Sequence, residues 1–388
     1  MLNEGLRVAP GPPATLGPRE VFGVPVLPPA PAAAVVNRLR AGLARLRRAP
    51  APPPVRILEG LLGALDLAAL GALCRVGLPE QLTEPTETGR LAVVLETDPD
   101  RLQRLLRYAA TRGWVRLDRR GRVHPTPTLT FLRHDHPAGW RAWVEFMSGP
   151  EIAAALGRLD AGLSEGGDAF AAANGASYFD WMAVHPRRHA AFDEAMAAGG
   201  RMHGLLLARA LDWSTSRRVC DIGGGTGALL STVLGAHPHL EGVLFDLPEV
   251  VMRAPAVARM ATSGGDAFAS VPAGCDTYLL VNVLHDWGDD DAVRLLRRVA
   301  AAMTGGDAAP SRVATRRAVV LEGLATTRPR DDLVARSDLL MFALTPGGRE
   351  RTREEFAELA ATAGLRLQRL IKLASGETAQ VLVAEGAR

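Results

Sequence analysis

Arg218–Gly227 reads R-V-C-D-I-G-G-G-T-G, and this stretch decides how the rest of the chain is read. Val219, Cys220 and Ile222 suit a short buried parallel strand that the glycines stop abruptly. Asp221, Gly223, Gly225 and Gly227 form the pattern acidic-x-Gly-x-Gly-x-Gly. The next eight residues, Ala228–Gly235, have helical spacing and a terminal glycine. Strand, glycine turn and helix together bring backbone N–H groups and a helix N-terminus against a ligand with no Cβ in the way. A second acid, Asp246, closes the apolar run Gly242–Asp246, 19 residues past Gly227. A doubly wound fold places the carboxylate that grips a ribose at about that interval.

Two cofactors could use such a turn. Gly223, Gly225 and Ala228 also satisfy the loose dinucleotide fingerprint G-x-G-x-x-G/A. Asp221, two positions before the first glycine, argues against it. A carboxylate there suits a bound ammonium or hydroxyl and repels a pyrophosphate. The expected cofactor is therefore the nucleoside amino acid S-adenosylmethionine, with S-adenosylhomocysteine as its product, in preference to NAD.

Outward from the turn, strand and helix patterns alternate as in a parallel sheet covered on both faces. Strands are expected at Arg218–Ile222, Gly242–Asp246, Met260–Ser263, Thr277–Val283, Ala318–Glu322, Leu365–Leu373 and Ala379–Ala384. The clearest helices are Asp290–Met303 and Arg353–Ala363, and Thr304–Arg316 is a polar loop. Three motifs fall at the carboxyl ends of strands, where open α/β sheets bind ligands. In Gly264–Phe268 (G-G-D-A-F), Asp266 can accept from an adenine amino group while Phe268 covers the ring. Tyr278–Trp287 carries His285, an imidazole suited to take a proton from a phenol. Glu322 ends its strand at the same edge. Glu350 lies in the glycine turn Thr345–Thr352, either orienting that imidazole or pairing with Arg349, Arg351 or Arg353.

Upstream, Val55–Arg133 has the pattern of helix, turn, helix and two-stranded wing. The second helix runs through Asp98–Trp114, with Asp98 as cap, Pro99 in the first turn and Gly113 as stop. A hairpin over Trp114–Pro127 turns at Arg120-Gly121. DNA reading is the obvious claim for such a module, but its arginines alternate with acidic and apolar residues. Leu58–Val76 is apolar over too wide a stripe for an exposed helix, so it should be buried inside a subunit or between two. Residues 1–54 form a Pro/Ala-rich arm, expected to be extended apart from one basic amphipathic helix between Ala33 and Arg48. Between Gly139 and Gly200, Tyr178, Trp181, Met182, Phe192 and Met196 concentrate aromatic and sulfur side chains, as a core or as the lining for a flat substrate.

Composition sets outer bounds. The 388 residues are 47% hydrophobic but only 5% aromatic, with a net charge of +3. Nearly all basic charge is arginine, Lys372 being the one lysine. Spread through the chain, those arginines weaken a nucleic-acid reading of the pI near 9.0. Cys74, Cys220 and Cys275 read as reduced, buried thiols of a cytoplasmic protein. No metal-ligand spacing stands out, no run approaches a membrane span, and no signal layout opens the chain.

Taken in order, Asp221–Gly227, Phe245–Pro248, Gly264–Phe268, Leu284–Trp287 and Gly347–Thr352 resemble the class I S-adenosylmethionine-dependent O-methyltransferases of plant phenolic and bacterial polyketide or antibiotic type. The resemblance runs from about Val55 to the C-terminus. It implies an α/β fold, a C-terminal Rossmann-like doubly wound sheet (residues 211–388) behind a helical, winged-helix-like dimerisation domain (55–135). A helical linker that lines the substrate (136–210) would join them. It implies a homodimer acting on a small aromatic substrate, with neither nucleic acid nor membrane as partner. Carried over by position, the cofactor site would comprise Asp221, Gly223, Gly225, Asp246, Leu247, Gly265, Asp266, Ala267, Phe268 and Asn282. His285 would be the base, flanked by Glu322 and Glu350. Asp286 and Met341 would join the aromatic and sulfur residues in lining the substrate. Two departures stand out: Val281 occupies a position that is often lysine in plant members, and the Thr304–Arg316 loop is longer than usual. Some bacterial relatives keep the cofactor pocket yet hydroxylate, decarboxylate or cyclise, so the resemblance leaves that alternative open.

Overall fold

The protein, described from a computed structural model, is defined over residues 17–23, 26–48, 50–164, 166–305, 316–327 and 333–385. Residues 306–315, most of the expected long polar loop, lie outside those described.

Among the described residues, ten strands make two sheets. Strands β1 (Thr86–Glu87), β2 (Val115–Leu117) and β3 (Arg122–Pro125) form a small antiparallel sheet in the order β1-β3-β2. Strands β4 (Arg218–Ile222), β5 (Glu241–Asp246), β6 (Met260–Gly264), β7 (Thr277–Val281), β8 (Arg317–Glu322), β9 (Leu365–Lys372) and β10 (Thr378–Ala384) form the large one. Its order is β6-β5-β4-β7-β8-β10-β9. Strands β4 to β8 are parallel, whereas β10 runs antiparallel to both β8 and β9. The order reverses between β4 and β7, which opens a crevice at the carboxyl edge of the sheet. This is an α/β fold with a Rossmann-like C-terminal sheet.

Strand alternation builds the core. Cys220, Ile222, Phe245, Tyr278, Leu280 and Val320 face one layer of helices. Their neighbours Val219, Leu244, Leu279, Val319 and Leu321 face the other. Both layers are buried, which is why the strands read as continuous apolar runs without polar alternation. The long helix Pro186–Ala210 lies directly on the helix Ala228–Ala236 that follows the glycine turn. Gly204 permits the approach, since a Cβ there would sit 2.7 Å from Thr232 Cβ and 2.8 Å from the Leu229 carbonyl oxygen.

Upstream, the helix Pro99–Thr111 starts as the sequence dictates, with Asp98 Oδ1 accepting from the Arg101 N–H at 2.9 Å. The hairpin turns at Gly121, φ +76°. The helix Pro53–Arg75 divides in two: Leu73 and Cys74 are buried, but Ile57, Leu58, Leu61, Leu62 and Leu65 are exposed. Within one chain the apolar stripe is therefore uncovered along its first half.

Two expectations are corrected here. That same 23-residue helix, with a mean hydropathy of 1.8 in its most apolar window, is long and apolar enough to cross a membrane by length and composition. Asp66 in its middle and Arg56 and Glu59 in its first turns break the apolar run, which hid it from a count along the sequence. The arm, expected to be extended outside its one helix, also forms a short helix at Pro18–Phe22 that buries Val21. Glu20 supplies the cap, its carboxylate accepting from the Gly17 N–H at 2.9 Å.

Candidate active site

Two clusters stand at the carboxyl edge of the large sheet, one at the β4 turn and one beyond β7 and β8. At the first, Gly223, Gly225 and Gly227 all have positive φ, between +59° and +81°. A Cβ on Gly223 would meet Val283 at 2.9 Å, whereas the space over Gly225 is open. Asp246 Oδ2 accepts from the Gly225 N–H and its Oδ1 from the Leu247 N–H, both at 2.7 Å. Burial raises the Asp246 pKa, partly offset by those two bonds. Asp221 lies beneath the turn, 2% exposed, with one carboxylate oxygen buried and without a hydrogen-bond partner. Burial first, then the charge of Asp246, pushes its pKa up to about 7. A buried orphan acceptor beside an open glycine turn is what an incoming ammonium or hydroxyl would satisfy. The residues present therefore fit a nucleoside amino acid.

Beyond this turn, Gly265 donates its N–H to the Asp246 carbonyl at 3.0 Å, which holds the β6 loop against β5. Asp266 Oδ1 accepts from the Phe268 N–H at 2.9 Å, with Ala267 between them. The Phe268 ring has neighbours of its own: Trp287 stands edge-on at 4.8 Å and the Arg294 guanidinium lies 5.1 Å from its centroid. Leu247 is half-exposed beside Asp246. Asn282 follows β7 with φ +55°, a conformation rare for a side-chain-bearing residue and often found where a site over-determines the backbone.

The second cluster centres on His285, in a short 3₁₀ turn at Leu284–Asp286. Glu350 Oε1 lies 3.1 Å from His285 Nδ1 and accepts from Ser337 Oγ at 2.7 Å. Asp338 Oδ1 accepts from the Glu350 N–H at 2.8 Å. Of the two sequence readings for Glu350, the ion pair with a neighbouring arginine is not the one formed. Arg349 pairs with Glu355 and Asp289, and Arg351 with Asp289. Glu322 flanks the histidine in a different way: its Oε1 accepts from the backbone N–H groups of Leu284 (2.6 Å) and His285 (3.1 Å). Arg351, 1% exposed, closes the turn by donating to the Leu284 and Trp287 carbonyls at 3.0 and 2.7 Å. The sequence reading missed Ser337, Asp338 and Arg351. Their partners are 12 to 67 residues away, and no local pattern marks them.

With Nδ1 engaged, His285 Nε2 is the free face of the ring, 3.6 Å from Asp286 Oδ1. Burial by itself lowers the His285 pKa. The Asp286 charge, the Glu350 hydrogen bond and the charge of Glu322 outweigh it and push the value up to about 9. An unperturbed imidazole titrates near neutrality, and the ring of carboxylates explains the difference. Asp286 and Glu322 are themselves raised by burial, to about 6 and about 7.

The aromatic and sulfur residues come together as one cluster. Tyr178 and Met182 are buried in it with Phe146 and Phe170, and Trp181, Phe192 and Met196 pack against it. Tyr178 and Phe192 ring centroids are 5.8 Å apart, and Leu340 of the helix Leu333–Leu344 joins from the other side. Met341, 8% exposed, lies on that helix. The Tyr178 hydroxyl is buried without a partner. Its pKa is raised, by burial first and then by Asp286, which sets it among the charges around His285.

Residues 157–366 match the family model described as O-methyltransferase domain. The chain is 33% identical over 325 residues to the mitomycin biosynthesis 6-O-methyltransferase of Streptomyces lavendulae, covering 81% of this chain and 90% of that one. It is 35% identical over 305 residues to the 8-amino-8-demethylriboflavin N,N-dimethyltransferase of Streptomyces davaonensis, covering 76% and 85% respectively. Among solved structures it is similar to CalO1, a methyltransferase in calicheamicin biosynthesis in its S-adenosylhomocysteine-bound form. That likeness has a TM-score of 0.74 and 32% identity, over 88% of this chain and 99% of the other.

Proposed function

The chain belongs to the O-methyltransferase family and uses S-adenosylmethionine, and we propose that it methylates a phenolic hydroxyl on an aromatic natural-product intermediate, with His285 as the general base. The observation that carries the reading is the 3.1 Å contact between Glu350 and His285 Nδ1, which leaves Nε2 to receive a proton. When bound, the cofactor supplies an electrophilic methyl group on a sulfonium sulfur. The chain's own residues do the rest. Asp221 and the Gly225 turn hold the amino-acid end, Asp246 the ribose, and Asp266 with Phe268 the adenine. Gly223, Leu247, Gly265, Ala267 and Asn282 shape the same crevice. Tyr178, Trp181, Met182, Phe192, Met196 and Met341 hold a flat substrate beside Asp286. His285 Nε2 takes the hydroxyl proton as the oxygen attacks, and Glu350 fixes the tautomer by holding Nδ1–H. Glu322 keeps the turn, and so the ring, in register. Much of the rate comes from holding two reactants in line.

The proposal extends to the assembly. A second copy covers the exposed first half of the Pro53–Arg75 helix, in a homodimer working in the cytoplasm. Exposed Ile57, Leu58, Leu61, Leu62 and Leu65 form a contiguous apolar face of the kind monomers rarely leave open.

The test offers phenols and aromatic amines with a trideuteromethyl-labelled cofactor and follows label gain by mass spectrometry. Labelled aryl ethers are expected. The amines are included because one relative carries an N,N-dimethyltransferase name. Labelled amines alone would replace the oxygen acceptor by nitrogen, and cofactor turnover without label in any acceptor would favour a non-methylating reaction.

A further inference from the structure

Away from the sheet edge, a cavity of about 180 Å³ lies between the helix Trp140–Met147 and the long helix Pro186–Ala210. Trp140 and Trp143 wall one side, Ala198, Gly199 and Met202 the other, and Val21 of the arm helix closes it. Trp140 is 41% exposed, a large aromatic surface left at the mouth. Every one of these side chains is apolar or aromatic. A cavity of similar size, about 150 Å³ and likewise apolar, is enough for one benzene ring.

Arg201 stands at its rim. Its residue position is one turn beyond Ala198, on the same side of the helix. Its Nη2 lies 2.6 Å from where a Cβ on Gly139 would sit, between the lining residues Ala138 and Trp140. Glycine at position 139 leaves that space to the guanidinium. The Arg201 Nε is buried and has no hydrogen-bond partner. No carboxylate among the described residues forms an ion pair with it, and burial alone lowers its pKa. A guanidinium keeps its charge, so desolvation without a counter-ion is a standing cost that a bound carboxylate would relieve in bidentate geometry.

We propose that this cavity is a binding site for a small aromatic carboxylate, its ring between the tryptophan wall and the facing helix at Ala198–Met202 and its carboxylate on Arg201. The site is separate from the His285 cluster but touches the same aromatic packing. Trp143 lies 6.0 Å from Phe146, and Phe146 lies 5.6 Å from Phe192. Occupancy is thus felt at the helix face that carries Phe192 and Met196. Val21 makes the arm part of the site, which gives a structural role to a segment outside the family resemblance.

The test uses the full-length protein saturated with S-adenosylhomocysteine and the probe 4-fluorobenzoate, followed by ¹⁹F NMR and tryptophan fluorescence. Saturable binding is expected, weakened at least tenfold by Arg201→Met and less by Arg201→Lys, which keeps the charge but loses the fork. Ala198→Leu, which fills the cavity, should abolish the signal of both the probe and its neutral counterpart 4-fluorotoluene, whereas Arg201→Met should spare the neutral ring. Circular dichroism and thermal unfolding establish that each variant is folded, and Arg201→Lys carries the charge test if Arg201→Met is not. Equal binding of 4-fluorobenzoate by wild type, Arg201→Met and Arg201→Lys overturns the proposal, as does binding that survives Ala198→Leu. A dimer weakened by Arg201→Met with probe binding unchanged also overturns it, and assigns the guanidinium to the contact between copies.

Discussion

The two halves of the sheet edge differ in what their carboxylates hold, although each leaves one buried oxygen without a partner, Asp221 Oδ2 in one and Glu350 Oε2 in the other. At the β4 turn, Asp221 is buried with an oxygen that no group of the chain satisfies, and the space over Gly225 is open. Beyond β7, Glu322 and Glu350 each hold the His285 turn: one grips its backbone, the other its ring. In the first half Asp221 has an oxygen bonded to nothing in the turn, whereas in the second the backbone and the ring of the His285 turn are already tied. A group that must move a proton needs its geometry fixed before the reactants arrive, whereas a binding group gains most if its partner is the ligand itself. Substitutions in the two halves should therefore separate cleanly into losses of rate and losses of affinity.

The largest effect tests the preassembled half. His285→Ala should lower the methyl-transfer rate by about 10²–10⁴-fold, the usual share of a positioned base. Cofactor affinity, measured by calorimetry, should stay close to wild type. The rate loss should shrink for phenols acidic enough to be ionised already. A wild-type rate on a weakly acidic phenol would remove proton abstraction from this residue.

Next comes the open half. Asp246→Ala should weaken S-adenosylmethionine binding by about 1–3 kcal/mol, the cost of leaving ribose hydroxyls without a charged acceptor. Its two bonds to the Gly225 and Leu247 N–H groups also order the turn, so S-adenosylhomocysteine should weaken in parallel. Unchanged affinity for both would break the assignment of this half to the cofactor.

A smaller effect follows from Asp221, whose pKa stands at about 7 in the free protein. Binding an ammonium requires its ionised form. Affinity should therefore rise as pH goes from 5.5 to about 7 and then level off, changing by roughly tenfold for each pH unit below the pKa at most. Titration calorimetry at several pH values would show proton release on binding below pH 7. Asp221→Asn should remove the dependence, and a pH-independent wild-type affinity would contradict it.

The same division governs how much could be read from the sequence. The β4 turn was legible because its chemistry is local: Asp221, the three glycines and Ala228 follow one another within eight positions. The strands of the large sheet were legible to within two residues at either end; the central ones are apolar runs buried on both faces, whereas the edge strands β6 and β9 are largely exposed. The partners of His285 were legible only as candidates. Nothing near Glu350 distinguishes a carboxylate that reaches the ring from one that pairs with Arg351; the 65-residue return of the chain decides it. Ser337, Asp338 and the buried Arg351 carry no pattern at all. Short elements escaped for another reason. The five-residue helix Pro18–Phe22 and the two-residue β1 are too short for any periodicity to register.

The smallest effect is the one that probes how the two glutamates differ. Glu350 contributes to the raised His285 pKa through its hydrogen bond and its charge, so Glu350→Gln should move that pKa down from about 9. The neutral imidazole is the working form, and the pH dependence of kcat/KM reports the free enzyme. In wild type kcat/KM should climb with pH until the ring is deprotonated, near 9. In Glu350→Gln that rising limb should shift to lower pH, by roughly one unit, while the plateau falls because the ring is held less firmly and is a weaker base. At neutral pH the two consequences oppose each other, and the net loss should be only a few-fold, far below that of His285→Ala. Glu322→Gln should shift the limb less, since its hydrogen bonds go to the backbone and only its charge reaches the ring. The measurement needs a substrate whose hydroxyl does not ionise between pH 6 and 10 and a range of pH over which the protein stays folded. A limb that does not move in Glu350→Gln would mean that the 3.1 Å contact does not set the basicity of His285. The ring would then be positioned by packing alone, and the assembled half of the site would differ from the open half in geometry but not in charge.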